Sequence, residues 1–196
     1  MMNTSRRRGL MCMGGEPGLL FRRKNIEMQT GECLDTGIEI LQAGLSVTVL
    51  LDYTSTNNPT SSSAKGSIYK LLQMGTTREV CVGKYDRANS ELMYWWMPSS
   101  NKDYTTMTGV TASAGRKRIA VTHAANSNGI TIYAKMGDDT LYTFTCTKTF
   151  SATNAKLSVA YLAEETSTAG VPNGTLNEIS VYSRILSAEE IAAFFE

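Results

Sequence analysis

The chain has 196 residues, of which 42% are hydrophobic and 19% are charged, and its formal net charge is +1. This length predicts one domain, and this apolar fraction excludes wholesale disorder. The small total charge hides an asymmetry: residues 1–24 hold six basic side chains and one acidic one, so the rest of the chain carries a net charge of −4. A mildly acidic body argues against a nucleic-acid-binding domain.

The first stretch, residues 1–18, has no hydrophobic periodicity and is rich in glycine. It predicts a flexible basic arm, followed by one domain over residues 19–196. The start of the chain lacks the apolar run of a signal peptide, and no stretch is long enough to span a membrane. We therefore expect synthesis in the cytoplasm without a classical signal peptide.

Further along the chain, apolar and polar residues alternate in several short segments. In the segment 141–150, Tyr142 and Phe144 fall on one side while Thr143 and Thr145 fall on the other. Such alternation is typical of antiparallel strands with one buried face. It predicts strands at 47–53, 119–124, 129–134, 141–150, 156–163 and 176–183, with a polar loop at 54–66. This pattern favours an all-β sandwich or barrel.

The chain ends with the start signals of a helix. Ser187 is a good N-cap, and Glu190 lies three residues later, the spacing of a capping box. Leu186 and Ile191 have the spacing of a hydrophobic staple. We predict a short C-terminal helix that docks its apolar face on the sandwich.

The last segment, "GTLNEISVYSRILSAEEIAAFF" (174–195), resembles the C-terminal signature of the concanavalin A-like lectin/glucanase superfamily in its laminin-G-like branch. "RIAVTHAANSNGITIYAKMGDD" (118–139) is similar to the central hairpin of these modules, and "ECLDTGIEIL" (32–41) to their first strand. The resemblance implies a two-sheet antiparallel jelly-roll β-sandwich with a short C-terminal helix.

Two positions depart from the family pattern. The family often has Asp where this chain has Asn177, and often has Asp immediately before the glycine that is Gly137 here, where Met136 stands. Both changes remove a carboxylate from a loop region where some relatives hold calcium.

Calcium is nevertheless the cofactor that a cluster of oxygen-bearing side chains suggests, because hard cations bind several oxygen ligands. The candidate metal ligands are Asp138, Asp139, Asn126 and Asn128. The alternative is that turn chemistry alone explains these residue types.

No catalytic constellation is present in the sequence. Hydrolases of the superfamily that resemble laminarinases carry two glutamates in an E-x-D-x-x-E pattern, which this chain lacks. Its single histidine, His123, falls on the same strand face as Ile119 and Val121, as expected of a core or rim residue. We therefore predict that the chain is not an enzyme.

The segment "SELMYWWMP" (90–98) holds the two tryptophans of the chain. Tyr94 and Trp96 share one side of the predicted strand and Trp95 takes the other. Sugars stack their C–H faces on aromatic rings and need amides and carboxylates for their hydroxyls. The candidate carbohydrate-binding residues are Tyr94, Trp95, Trp96, Asp86, Asn89 and Asn101. The alternative is that the aromatic residues belong to the core.

Taken together, these features predict a non-catalytic carbohydrate- or cell-surface-binding module. The basic arm followed by a lectin-like sandwich is also similar to small proteins of bacteriophages and prophages, which implies a virion-associated protein released by lysis. The alternative is a structural or decoration protein that contacts only virion or other protein subunits, and a glycoside hydrolase is the third hypothesis. A glycan or surface polysaccharide is the expected partner, with no nucleic acid and no membrane span.

Overall fold

Two antiparallel sheets and one short helix form the part of the chain that the computed structural model describes, namely residues 16–29, 32–40, 45–56, 67–74, 80–85, 91–96, 103–111, 113–125, 129–146, 155–159 and 173–196. Sheet A contains, in spatial order, β1 (Leu19–Met28), β12 (Gly174–Tyr182), β3 (Val47–Ser55), β8 (Gly115–His123), β9 (Ile130–Met136) and β10 (Tyr142–Cys146). Sheet B contains β2 (Leu34–Ile40), β11 (Ala155–Val159), β4 (Ser67–Met74), β5 (Val80–Tyr85), β6 (Glu91–Trp96) and β7 (Asp103–Thr111). The predicted two-sheet β-sandwich with a C-terminal helix, α1 (Ala188–Phe194), is confirmed.

The main core lies between the two sheets. In β3, Val49, Leu51 and Tyr53 are fully buried in this core, and they alternate with residues on the outer face of sheet A. Strands of sheet B contribute Leu92 and Val159, among others, to the same cluster. Each large apolar side chain buried here contributes about 1.5–3 kcal/mol, so this layer is the main source of the fold's stability.

Each predicted strand overlaps a strand of the structure, although the described residues 124, 129, 141 and 183 at predicted ends are not in strands. The predicted loop at 54–66 was wrong at its start, because β3 continues to Ser55. The segment 47–53 lies in β3, 119–123 in β8, and 176–182 in β12. The ends of two predicted strands, 147–150 and 160–163, lie outside the described residues, as do residues 57–66 of the predicted loop. His123 is buried, with its Nδ1 3.0 Å from the carbonyl oxygen of Gly129.

Helix α1 packs on the outer face of sheet A. The capping box is present: the Ser187 hydroxyl accepts a hydrogen bond from the Glu190 N–H, and the Ser187 N–H donates to the Glu190 carboxylate at 2.8 Å. Ile191 and Phe195 are buried against Leu50 and Ala120 in a second apolar cluster. This short helix therefore depends on docking, as the sequence predicted.

Arg184 connects this helix to the first described residues. Its guanidinium donates to the Pro17 carbonyl at 2.8 Å and to both carboxylate oxygens of Glu190. These bonds lower the pKa of Glu190 to about 2, the Arg184 contact being the main cause. One side chain thus holds the entry to β1 and the cap of α1 together.

Glu16 is bound to the body of the sandwich by a similar contact. Its carboxylate accepts two hydrogen bonds from Arg22 and one from the Tyr182 hydroxyl, all at 2.6 Å. The Arg22 bonds, followed by the Tyr182 bond, lower the pKa of Glu16 to about 2. Residues 1–15 of the predicted basic arm lie outside the described part of the chain, so the arm stays a prediction.

Gly174 is sterically required where β12 begins beside β3. A Cβ atom at this position would lie 2.0 Å from the backbone oxygen of Thr54. We predict that Gly174→Ala lowers the free energy of unfolding by about 3 kcal/mol or more, measured by chemical denaturation.

Gly37 provides the control for Gly174. Its φ is +69°, yet nothing lies within 4 Å of a Cβ built on it. Gly37→Ala should therefore cost only the backbone strain, about 1–2 kcal/mol. Equal losses for the two variants would show that the close approach of β12 to β3 is not the cause.

Candidate functional site

The pairing of β6 with β5 and β7 places Trp95 and Trp96 at positions on opposite sides of sheet B. Trp95 lies opposite Cys81 of β5 and Tyr104 of β7, whereas Trp96 lies opposite Val80 and Asp103. Tyr94 pairs with Val82, which is buried in the core between the sheets. Because directly paired residues of neighbouring strands belong to the same side of a sheet, Trp95 is at a position of the side away from the core.

We call the side of sheet B away from the core its far face. One register row crosses this face over all six strands, and we call it the tryptophan row. It consists of Asp35, Ser158, Gln73, Cys81, Trp95 and Tyr104. The row thus brings together residues from positions 35 to 158 of the chain.

The middle of the tryptophan row is closed to solvent. Ser158 and Cys81 are both fully buried. Both alternate with core residues such as Val159 and Val82, so other parts of the chain cover them from the far side. The row is therefore closed to a ligand at β11 and β5.

The polar residues predicted to flank the aromatic strand cannot be placed. Asp86 and Asn89 belong to the connection between β5 and β6, and Asn101 to the connection between β6 and β7. All three lie outside the described residues. The prediction that they bind sugar hydroxyls stays a prediction.

The candidate calcium ligands Asp138 and Asp139 lie in the tight turn between β9 and β10. The Asp139 N–H donates to the Met136 carbonyl at 2.9 Å, and the Gly137 N–H donates to the Arg116 carbonyl at 3.0 Å. The other two candidates, Asn126 and Asn128, lie outside the described residues. Among the residues that are described, no group of three or more His, Cys, Asp or Glu side chains could hold a metal ion. Both aspartates lie in a turn, where their residue type is favoured, and the calcium site stays a prediction.

Asn177 has a structural role that its residue type explains. Its side-chain amide donates to the Asp52 carboxylate at 2.9 Å and to the Thr54 hydroxyl at 2.8 Å. Arg116 completes the cluster with an ion pair to Asp52 at 2.7 Å. An aspartate at 177 would place two carboxylates together, so in this chain the amide is the group that fits. The structure places Asn177 within β12 and not in a loop.

Arg118, two residues after Arg116 in β8, is almost fully buried, and its Nη2 donates to the Gly137 carbonyl at 2.9 Å. Its Nε and Nη1 atoms are closed off from solvent and have no hydrogen-bond partner.

Lys117 is a buried cation at one end of the core. Its ammonium donates to the Ser55 hydroxyl at 2.9 Å and to the carbonyls of Ser113 and Gly115. Burial lowers the pKa of this ammonium to about 8. The three oxygen atoms accept hydrogen bonds from the ammonium of Lys117. These bonds hold the connection between β7 and β8 against β3.

Comparisons with known proteins agree on the fold. The sequence matches no protein-family model and no curated protein. Among solved structures, it is similar to a leech intramolecular trans-sialidase complexed with 2,7-anhydro-Neu5Ac, at 17% identity and a TM-score of 0.55 over 92% of this chain and 28% of that one. A NanB sialidase from Streptococcus pneumoniae matches at 12% identity and a TM-score of 0.56, over 88% of this chain and 27% of that one.

The CBM40 of the Ruminococcus gnavus IT-sialidase is similar over its whole length. Solved bound to α2,6-sialyllactose, it matches at 13% identity and a TM-score of 0.53, covering 91% of this chain and 100% of that one. The chain thus spans about a quarter of the two sialidases but all of this CBM40. These likenesses confirm the β-sandwich fold. The described part of the chain contains no helix long and apolar enough to cross a membrane.

The contacts of Asn177 with Asp52 and Thr54 allow a test of why this chain has no aspartate at position 177. We predict that Asn177→Asp lowers the free energy of unfolding at pH 7 by about 1–3 kcal/mol, because two carboxylates then share one site. Repulsion raises the pKa of one carboxyl, so the loss should shrink near pH 4, where that carboxyl takes a proton. Chemical denaturation at both pH values measures the difference.

Asn177→Ala is the control, since it removes the amide without adding a charge and its loss should not depend on pH in this way. The same pH-independence in Asn177→Asp would contradict the repulsion argument. Added calcium should not change the free energy of unfolding of Asn177→Asp at pH 7. An increase with calcium would show that the two carboxylates bind the cation.

Lys117 generates a pH test of stability. The folded pKa of about 8 lies below the ordinary lysine value of 10.5, so above pH 8 the unfolded chain binds a proton that the folded chain has lost. Stability attributable to this group should therefore rise from about pH 8 to about pH 10. Above that range, the raised pKa values of Tyr53 and Tyr182 should lower the free energy of unfolding, because the unfolded chain loses these protons at a lower pH than the folded chain does.

Denaturation midpoints at pH 8, 9 and 10 provide the measurement. Lys117→Met should lose this rise relative to the unsubstituted chain, while Lys24→Met, at an exposed lysine, should keep it. An unchanged pH slope in Lys117→Met would show that burial does not perturb the ammonium.

Proposed function

We propose that the chain is a non-catalytic carbohydrate-binding module that binds a sialylated glycan on the far face of sheet B. The observation that carries this proposal is the likeness in fold to a complete CBM40 solved with sialyllactose, over 91% of this chain. A second CBM40 structure, bound to α2,3-sialyllactose, has the same fold likeness at a TM-score of 0.50. These are modules of the size of this chain, which supports binding without catalysis.

The tryptophan row supports the choice of face. Trp95 and Tyr104 are neighbours on β6 and the edge strand β7, beyond the buried middle of the row. An indole is a residue type on which the C–H face of a sugar stacks, and a phenol is one that bonds to its hydroxyls. This pair of residue types suits a neutral portion of a glycan.

The non-catalytic part of the proposal follows from the same row. Glycoside hydrolysis by a pair of acids needs two carboxyl groups flanking the scissile bond, about 5–10 Å apart. In the tryptophan row the single carboxylate is Asp35, on the edge strand β2. Its Oδ1 accepts a hydrogen bond from the Gly37 N–H at 2.9 Å, which is a local turn contact. This chain covers only 28% and 27% of the two sialidases that match.

A glycan array with the purified chain tests the proposal, run once with calcium and once with a chelator. We expect sialylated glycans among the ligands. Binding lost with the chelator would establish calcium as a cofactor, and binding indifferent to it would exclude that role. A blank array under both conditions would contradict the proposal and favour the decoration protein of a virion, whose partners are protein subunits.

The register predicts different outcomes for the two tryptophans. Trp95→Ala should weaken binding of sialyllactose by at least about tenfold while leaving the fold intact. Trp96 belongs to the row that contains the buried Met74, so Trp96→Ala should lower the free energy of unfolding by about 3 kcal/mol. Calorimetric titration and thermal unfolding of both variants distinguish the two roles. Loss of stability in Trp95→Ala together with loss of affinity in Trp96→Ala would reverse the assignment of faces.

A further inference from the structure

We propose that β10, at the edge of sheet A, pairs antiparallel with β10 of a second copy of this chain, so that the two copies share one continuous sheet. The inference concerns a surface that the proposed function does not use. Its basis is a comparison of the sheet edges of the sandwich.

Among the described strands, three of the four sheet edges carry features that obstruct pairing with another strand. The edge strand β1 carries the charged residues 22–24, and Asn25 interrupts it with a φ of +56°. In sheet B, Gly37 of β2 has a φ of +69° and Gly109 of β7 a φ of +88°, and each of these edge strands pairs irregularly with its neighbour. Charges and irregularities of this kind protect the edges of natural sheets.

The fourth edge, β10, lacks these features. It is the last strand of the described sheet A, and its pairing with β9 is regular over all five residues, Tyr142–Cys146. None of the five is charged, and none is glycine or proline. The side chains of Thr143 and Thr145 are exposed on the outer face. A regular, uncharged edge is a template on which another strand can pair.

The other side of β10 leaves apolar surface at this rim of the sandwich. Tyr142 and Phe144 pack against the main core but are only partly buried, and their rings stack with centroids 6.4 Å apart. The Tyr142 ring also lies against Gly109, where a Cβ atom would be 2.5 Å from it. Leu141, immediately before the strand, is 40% exposed. A second strand at this edge would cover apolar surface that the single chain leaves in water.

The residues of β10 suit a second copy of the same strand. An antiparallel pair of identical strands has two-fold symmetry, so the same surface serves both copies. With the axis at Phe144, this residue lies opposite its own copy and Thr143 lies opposite the partner's Thr145. Aromatic pairs and threonine pairs are favourable cross-strand neighbours. Because β10 is uncharged, the symmetry brings no like charges together.

The symmetry has a consequence for the orientation of the two copies. A two-fold axis perpendicular to sheet A joins six described strands from each copy and places both α1 helices on one side. The far faces of both sheets B then point to the other side. If the proposed function holds, two glycan sites face the same direction and can bind one surface together, which strengthens binding without new contacts. A blank glycan array would remove this consequence but not the dimer.

Charge substitutions at the two exposed threonines test the pairing. We expect the unsubstituted chain to pass from monomer to dimer between about 1 μM and about 1 mM, because a strand of five residues forms a small interface. Thr143→Lys/Thr145→Lys and Thr143→Asp/Thr145→Asp should each self-associate at least about tenfold more weakly, since like charges then lie opposite each other. An equimolar mixture of the two variants should form a mixed dimer, in which each lysine lies opposite an aspartate. Sedimentation velocity measures the association, and thermal unfolding checks that each variant folds.

Each outcome decides the proposal. An unsubstituted chain that stays monomeric over this concentration range would overturn it. A dimer that both double variants still form equally well would show that self-association uses another surface. Variants that stay monomeric when mixed would contradict antiparallel pairing of β10. Should a double variant not fold, Thr143→Lys mixed with Thr145→Asp places one lysine opposite one aspartate, and this mixture should associate more tightly than either single variant alone.

Discussion

Every strand of this sandwich must bury one side against the opposite sheet, and the remaining organisation of the molecule depends on that constraint. Alternate residues of β3 and β12 supply the core, so their other residues form the outer face of sheet A that α1 covers. In sheet B the same constraint assigns Leu92 and Val82 to the core and Trp95 to the far face. The proposed site therefore depends on core packing: once the buried set is fixed, the residues at positions of the far face are fixed as well.

The strands with clear alternation and the capped helix could be predicted from the sequence, because the signals are local. β1 could not be, since its charged residues obscure the pattern. Arg22 and Lys24 are neutralised by Glu178, more than 150 residues away. β4 was missed for a different reason: its bulge places Leu71 and Leu72 on the same side and breaks the two-residue period.

The candidate site was only partly predictable. The pair Trp95 and Trp96 stands out in the composition, and their opposite sides follow from strand geometry. Which of them faces the core does not, because that depends on pairing with β5 and β7. The other positions of the tryptophan row, from its neighbour Cys81 to Ser158 three strands away, are joined to Trp95 by hydrogen-bond register and not by any sequence motif. Asn177 shows the converse: a residue that looked like a lost metal ligand is explained by its contact with Asp52.

The position of β12 has a consequence for how the molecule folds. This strand lies between β1 and β3, so each of its two neighbours is more than 100 residues earlier in the chain. Until β12 is synthesised, β1 has no partner in the described sheet. The edge of β3 that pairs with β12 is then also without its partner. Such long-range closure is entropically slow, so we expect folding in the range of milliseconds to seconds and after synthesis of β12. During that interval, the exposed strand edges make the nascent chain a substrate for chaperones and a risk for aggregation.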